Sequence, residues 1–212
     1  MIYLKQNKIK GVEFMYRFLW IITWLFIHIL YPTKVVGRKN IVKGGAILIC
    51  NHLSNVDPIL IISYNKRKIN SIGKKELFNT KLKAWFFRTA GVISVDRGRP
   101  DVTAIKSSLK VLSNGGLLSM FPEGTRNKNN EDLQEIKKGC CMLAIKAKVP
   151  IIPINIQKKA KIFRRNKIII GKAFELREFY GQKISNQILD DAGKIVQRKL
   201  KELYAINCDI KK

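Results

Sequence analysis

Beyond residue 32 the chain alternates short apolar runs with stretches of helical periodicity. Ala46–Cys50 (AILIC) is an unbroken apolar run between a Gly-Gly pair and a polar turn, the pattern of a strand buried on both faces. Val92–Val95 (VISV), Gly116–Phe121 (GLLSMF), Ile151–Ile156 (IIPINI) and Lys167–Gly171 (KIIIG) read the same way. Between them a helix opens at Pro100–Asp101, places Val102, Ile105, Leu109 and Leu112 on one face, and stops at Asn114–Gly115. Leu133, Ile136, Cys140, Leu143 and Ala147 mark a second amphipathic helix. Asp57–Pro58 reads as a helix start, with Asp57 as N-cap and Pro58 in the first helical position. Ser185 caps a final helix carrying Ile188, Ile195, Leu200 and Leu203, with Gly193 as its weak point. Strands alternating with helices predict an α/β fold: a single domain with a largely parallel central sheet flanked by helices.

The N-terminal stretch has a different texture. Phe18–Tyr31 (FLWIITWLFIHILY) is fourteen residues without a formal charge. A bilayer span takes about 20 apolar residues, and a run of this length is more often interfacial or buried. Trp20, Trp24 and Tyr31 suit the headgroup level of a membrane, and no small-residue cleavage site follows the run. Lys5, Lys8, Lys10 and Arg17 precede it and Lys34, Arg38, Lys39 and Lys43 follow it, so charge favours anionic lipid but gives no orientation. Residues 1–33 are therefore expected to form a membrane-binding helical segment that spans or lies flat, and residues 34–212 the folded domain. His28 has no pairing group near it in sequence and reads as a snorkelling or packed side chain.

The chain has 212 residues, 46% of them apolar, which excludes disorder through low hydrophobicity. Its 41 Lys and Arg against 15 Asp and Glu leave a net charge of +26. Such a charge repels itself in a compact fold and calls for a polyanionic partner, either nucleic acid or the anionic face of a membrane. Four cysteines (Cys50, Cys140, Cys141, Cys208) have neither the density nor the spacing of a disulfide framework or zinc site, and read as reduced, mostly buried side chains.

Candidate chemistry gathers at the strand ends. NHLSNVDP (Asn51 to Pro58) follows the first buried run. In one continuous helix the five-residue step from His52 to Asp57 leaves the side chains about 140° apart. In a strand–turn–helix the loop can instead return His52 to the carboxylate, holding one ring nitrogen and freeing the other as a general base. The plainer reading is a loop histidine beside a capping aspartate. Ser54 is close, but the chain has no G-x-S-x-G elbow, so the base would act on a substrate hydroxyl. FPEGTR (Phe121 to Arg126) offers Gly124 for a turn, Glu123 as an acceptor for hydroxyls and Arg126 as a donor fork for phosphate. GVISVDR (Gly91 to Arg97) delivers a second arginine at a strand end, and strand ends on one edge of a parallel sheet converge on the ligand site.

NHLSNVD, GVISVDR, FPEGTR and VPIIPI (Val149 to Ile154) resemble, in order and spacing, the four sequence blocks of the glycerolipid acyltransferases. The likeness is closest to the bacterial 1-acyl-sn-glycerol-3-phosphate acyltransferases, it runs from about Val36 to Gly171, and it makes 34–212 the acyltransferase catalytic domain. The resemblance implies His52 and Asp57 as the catalytic pair, Arg97, Glu123, Gly124, Thr125 and Arg126 as acceptor-binding residues, and Pro150 to Pro153 near the acyl chain or donor. It implies acyl transfer from acyl-CoA or acyl carrier protein to the sn-2 hydroxyl of lysophosphatidic acid, giving phosphatidic acid. Another lysolipid acceptor stays open. The implied setting is the cytoplasmic face of the cell membrane, through a peripheral, monotopic or single-anchor attachment to an anionic surface. No metal-ligand cluster or dinucleotide-binding loop appears in the sequence, so no cofactor is expected. A nucleic-acid-binding role has only the net charge behind it.

Overall fold

A computed structural model of the chain describes residues 2–98, 100–124 and 136–205, with side chains from residue 14 onward. The element order is α1 (Ile2–Leu30), β1 (Thr33–Val36), β2 (Ala46–Cys50), α2 (Asp57–Ser63), β3 (Ile69–Lys74), α3 (Lys81–Thr89), β4 (Val92–Val95), α4 (Val102–Ser113), β5 (Leu117–Met120), α5 (Gly139–Ala147), β6 (Ile151–Ile156), β7 (Asn166–Ile170) and α6 (Asn186–Ala205).

The unbroken apolar character of β2 follows from its place between β5 and β6, in register Ile47↔Leu118 and Ile47↔Ile151. Successive side chains of a strand point to opposite faces. Ile47 and Ile49 thus join the core made with α4, α5 and α6 through Leu112, Cys140 and Val196. Ala46, Leu48 and Cys50 join a second core with Leu60 and Ile61 of α2 and Ile27 of α1. The seven-stranded sheet has the order β1-β7-β6-β2-β5-β3-β4. Every pairing is parallel except β6–β7. Only residues 157–165 separate those two strands, too few for the dozen or more that a parallel crossover needs, so the chain returns as a hairpin. From β2 the chain winds to β3 and β4, inserts β5 beside β2, then crosses to the other side of β2 as β6. The winding reverses beside β2, and in open α/β sheets such a reversal opens the ligand crevice beyond the strand ends.

Several local expectations change in the folded chain. Asp57 is the first residue of α2 and not its N-cap; Val56 holds that position, and no side chain caps the helix. The cause is that the Asp57 carboxylate turns back to the preceding loop. The helix expected to include Leu133 and Ile136 begins at Gly139; Ile136 is buried ahead of it, and Leu133 lies outside the described residues. Asp101 caps α4 by accepting from the Ala104 N–H (2.9 Å), and Ser185 accepts from the Ile188 N–H (3.2 Å) at the start of α6. β1, β3 and α3 lacked a pattern that announced them. β3 buries Ile69, Ser71 and Gly73 on one face, small or polar residues that break the apolar signal. α3 leaves Leu82, Trp85 and Phe86 exposed instead of burying an apolar face.

α1 packs one side on α2. Ile27 is buried in the core shared with α2, the Trp20 indole N–H donates to the Ile62 carbonyl (3.2 Å), and Tyr16 is buried beneath the Lys68 ammonium just before β3. His28 stacks on Tyr64 at 4.1 Å between ring centroids, and its Nδ1 lies 2.8 Å from the Trp24 carbonyl, so it has a partner one helical turn back where none was expected. The opposite face of α1 exposes Phe14, Phe18, Ile21, Leu25 and Ile29, a row at helical spacing. Among the described residues no helix is long and apolar enough to cross a membrane. Cys50, Cys140 and Cys141 are free and buried; Cys208 lies outside the described residues.

Leu48 is fully buried in β2, so Leu48→Ala is expected to lower unfolding stability by about 2–5 kcal/mol in a denaturant titration. A Cβ at Gly193 would meet nothing within 4 Å, and α6 runs through that position without a break. Gly193→Ala should therefore raise stability by about 0.5–1 kcal/mol in the same titration.

Candidate active site

The site begins one residue beyond β2. The Asn51 side-chain amide donates to the Ile156 carbonyl (2.9 Å), and its oxygen accepts from the Ile156 N–H (2.8 Å). This clamp ties the exit of β2 to the end of β6. The loop that follows folds around the carboxylate of Asp57, which is fully buried. Oδ2 accepts from the backbone N–H groups of Leu53 and Ser54, both at 2.6 Å, and Oδ1 from the Ser54 hydroxyl at 2.7 Å. His52 completes the set, with Nδ1 3.0 Å from Oδ2. A carboxylate only accepts, so Nδ1 is the donor, and in the neutral ring Nε2 is the nitrogen with the lone pair. Nε2 has no hydrogen-bond partner among the described residues. The ring is stacked on Phe121, with centroids 4.1 Å apart, and its side chain is 17% exposed. A histidine fixed on one side by a buried acid and open on the other is the geometry of a general base. Ser54 is buried and spends its hydroxyl hydrogen on Asp57, which supports the loop.

The exit of β5 forms the adjacent wall. Phe121 to Gly124 make a tight turn, closed by the Gly124 N–H on the Phe121 carbonyl (3.0 Å), with Pro122 in its second position. Gly124 takes φ +72, and a Cβ there would lie 2.5 Å from Cε of Lys137, whose stem crosses the turn. Glu123 is 4% exposed, and its Oε2 has no hydrogen-bond partner among the described residues. Burial pushes its carboxyl up to about 7, opposed by the backbone N–H of His52. At neutral pH this acid therefore exchanges a proton beside the histidine loop.

Arg97 reaches the same turn from the end of β4, donating through Nη1 to the Gly124 carbonyl. Partial burial lowers its pKa and the nearby Glu76 carboxylate opposes that shift; a guanidinium stays charged in any case. At the end of β3, Lys75 pairs with Asp96 at 2.8 Å. The parallel strands β2, β5, β3 and β4 thus deliver His52, Glu123 and Gly124, Lys75 and Arg97 to one edge of the sheet. Of the residues predicted for the site, His52, Asp57, Arg97, Glu123 and Gly124 come together, while Thr125 and Arg126 lie outside the described residues. Sequence reasoning passed over Asn51 and Phe121, although both sit inside the motifs. It also missed Lys137, far along the chain from the glycine it covers, and Tyr204 of α6. The buried Tyr204 hydroxyl lies near Cys50 and Glu123, and burial raises its pKa.

Against known proteins, a family model described as Acyltransferase matches residues 32–157, more than half of the chain. The chain belongs to the acyltransferase family. A protein of Bacillus subtilis named 1-acyl-sn-glycerol-3-phosphate acyltransferase is 29% identical over 177 residues, covering 80% of this chain and 87% of that protein. The Saccharomyces cerevisiae protein of the same name is 31% identical over 144 residues, covering 64% of this chain and 48% of its own length. The crystal structure of the 1-acyl-sn-glycerophosphate (LPA) acyltransferase PlsC from Thermotoga maritima aligns with a TM-score of 0.63 and 26% identity. That alignment covers 92% of this chain and 79% of PlsC. The expected α/β fold with its mostly parallel sheet and flanking helices is thus the fold of a known acyltransferase.

In this acyltransferase the raised pKa of Glu123 has a stability consequence. Between the ordinary value of 4.5 and about 7 the folded protein holds the proton that the unfolded chain has released. Stability therefore falls as pH rises through that window and levels off above it. Glu123→Gln removes the dependence, so from about pH 5 to about pH 8 its melting temperature should gain several degrees relative to wild type. An equal difference at both pH values would contradict the assignment.

Proposed function

We propose that this acyltransferase moves a fatty acyl group from a thioester donor, acyl-CoA or acyl carrier protein, to the sn-2 hydroxyl of 1-acyl-glycerol-3-phosphate, releasing phosphatidic acid. The observation that carries the proposal is the His52–Asp57 pair, held at 3.0 Å on the sheet edge where Arg97 arrives from a separate strand. The names of the relatives supply the acceptor.

His52 Nε2 takes the proton of the acceptor hydroxyl as its oxygen attacks the thioester carbonyl carbon. Asp57 keeps the opposite ring nitrogen protonated and steadies the imidazolium that forms. The tetrahedral intermediate collapses, the C–S bond breaks, and the imidazolium returns its proton to the departing thiolate. Arg97, together with Arg126, holds the phosphate monoester, which contributes orientation more than chemistry. Glu123 accepts from the acceptor's hydroxyls, and Gly124 lets the backbone turn beside it. The setting is the anionic surface of the cell membrane on its cytoplasmic face, where acceptor and product reside. The cationic chain and the outer row of α1 suit that surface.

Thiol release from a long-chain acyl-CoA, with and without lysophosphatidic acid, tests the reading. Release should depend on the acceptor and fall by about 10²–10⁴-fold in His52→Ala. Asp57→Asn, which loses the tautomer control, should fall by a comparable factor at unchanged acceptor KM. Acceptor-independent release would instead make the protein a thioesterase. Release with other lysolipids alone would move the acceptor.

A further inference from the structure

The segment between β6 and β7 takes no part in the chemistry above, yet its composition is one-sided. Residues 157–167 (QKKAKIFRRNK) carry Lys158, Lys159, Lys161, Arg164, Arg165 and Lys167 and no acid. At its tip Ile162 and Phe163 are 52% and 72% exposed. Phe163 sits at φ +54, a backbone region that suits glycine or asparagine and is an outlier for a bulky side chain. The turn around it is nevertheless well built. The Arg164 N–H closes on the Lys161 carbonyl (3.4 Å), and the Asn166 side chain accepts from the Lys161 N–H (3.2 Å) and donates to the Arg164 carbonyl (2.9 Å). The Phe163 N–H donates to the Leu30 carbonyl at the end of α1 (2.7 Å), and the Asn166 N–H to the Pro32 carbonyl (2.8 Å). An apolar tip is thus held outward in a fixed, strained turn, ringed by cations that have no acidic partner among the described residues.

The placement of this hairpin matters as much as its composition. It leaves the sheet directly after Ile156, the residue clamped to Asn51 beside His52. It also meets α1 at the end of that helix's exposed row, where Phe26 and Ile29 face outward. Apolar side chains flanked by cations match an anionic phospholipid interface, with the tip among acyl chains and the cations at phosphates. The exposed side chains of α1 and of the tip mix aromatic residues (Phe18, Phe26, Phe163) with aliphatic ones (Leu25, Ile29, Ile162), and the aliphatic share suits acyl chains better than stacked bases.

We propose that residues 157–165 form an interfacial wedge that seats the active-site edge of the protein on a bilayer containing anionic phospholipid. The wedge deepens the function proposed above, on which it rests only for the lipid nature of the substrate. The test uses the full chain in co-sedimentation with vesicles of phosphatidylglycerol and phosphatidylcholine, or of phosphatidylcholine alone. Ile162→Ser with Phe163→Asn removes the apolar tip while asparagine keeps the turn conformation, so the melting temperature should hold. Its partition to anionic vesicles should drop by about tenfold or more. Replacing Lys158, Lys159, Arg164 and Arg165 with Gln should abolish the preference for anionic over neutral vesicles. Unchanged partition in the tip variant would overturn the wedge, as would tighter binding of the wild type to an RNA oligonucleotide than to anionic vesicles. Acyl transfer to lysophosphatidic acid in detergent micelles separates this inference from the enzymatic one. The tip variant should match wild type there and lose rate only on vesicle-borne acceptor. A chain with no acyl transfer, yet with tip-dependent vesicle binding, would leave the wedge standing and remove the enzymatic reading.

Discussion

The arrangement of this protein turns on a buried carboxylate with no exposure to water. Taking Asp57 out of solvent without partners would cost several kcal/mol. The fold meets that cost by folding the loop between β2 and α2 around it, so that two backbone N–H groups, one hydroxyl and one imidazole converge on its two oxygens. The same four contacts set the loop's path, the start of α2 and the orientation of His52. A side chain that elsewhere would cap a helix here anchors the loop that carries His52. The tight packing of Phe121 on the ring closes the remaining freedom of the histidine.

Around that anchor the sheet acts as a positioning device. Parallel strands end on a common edge, so residues far apart in sequence meet without any loop having to span the molecule. Arg97 and Gly124 belong to strands separated by β3, and only the length of the arginine side chain joins them. The buried Glu123 beside the turn keeps one carboxyl oxygen, Oε2, without a hydrogen-bond partner among the described residues, an arrangement that raises its pKa. At the same edge the β6–β7 hairpin leaves the sheet after Ile156, and its turn is hydrogen-bonded to the end of α1 at Leu30.

Much of this was legible before any coordinates. The strands with unbroken apolar runs were found within one or two residues because burial on both faces leaves an unambiguous trace. His52, Asp57, Arg97, Glu123 and Gly124 stand in motifs at strand ends, and the family resemblance is what attaches a role to each. What escaped were elements whose role is relational. β3 carries small and polar residues where neighbours press close, α3 keeps its apolar side outward, and β1 is a short edge strand alternating half-buried and exposed residues.

The sequence by itself determined the α/β class, the buried strands and the identity of the chemical groups, because hydrophobic periodicity and residue type are local properties. Only the tertiary structure decided that Asp57 faces backward into the loop, that β7 runs against β6, and that Lys137 and Tyr204 lie beside residues distant along the chain. These are outcomes of competition for hydrogen bonds and space among segments that no local pattern brings together. A buried acceptor takes whichever donors the fold delivers, and that choice is made in three dimensions.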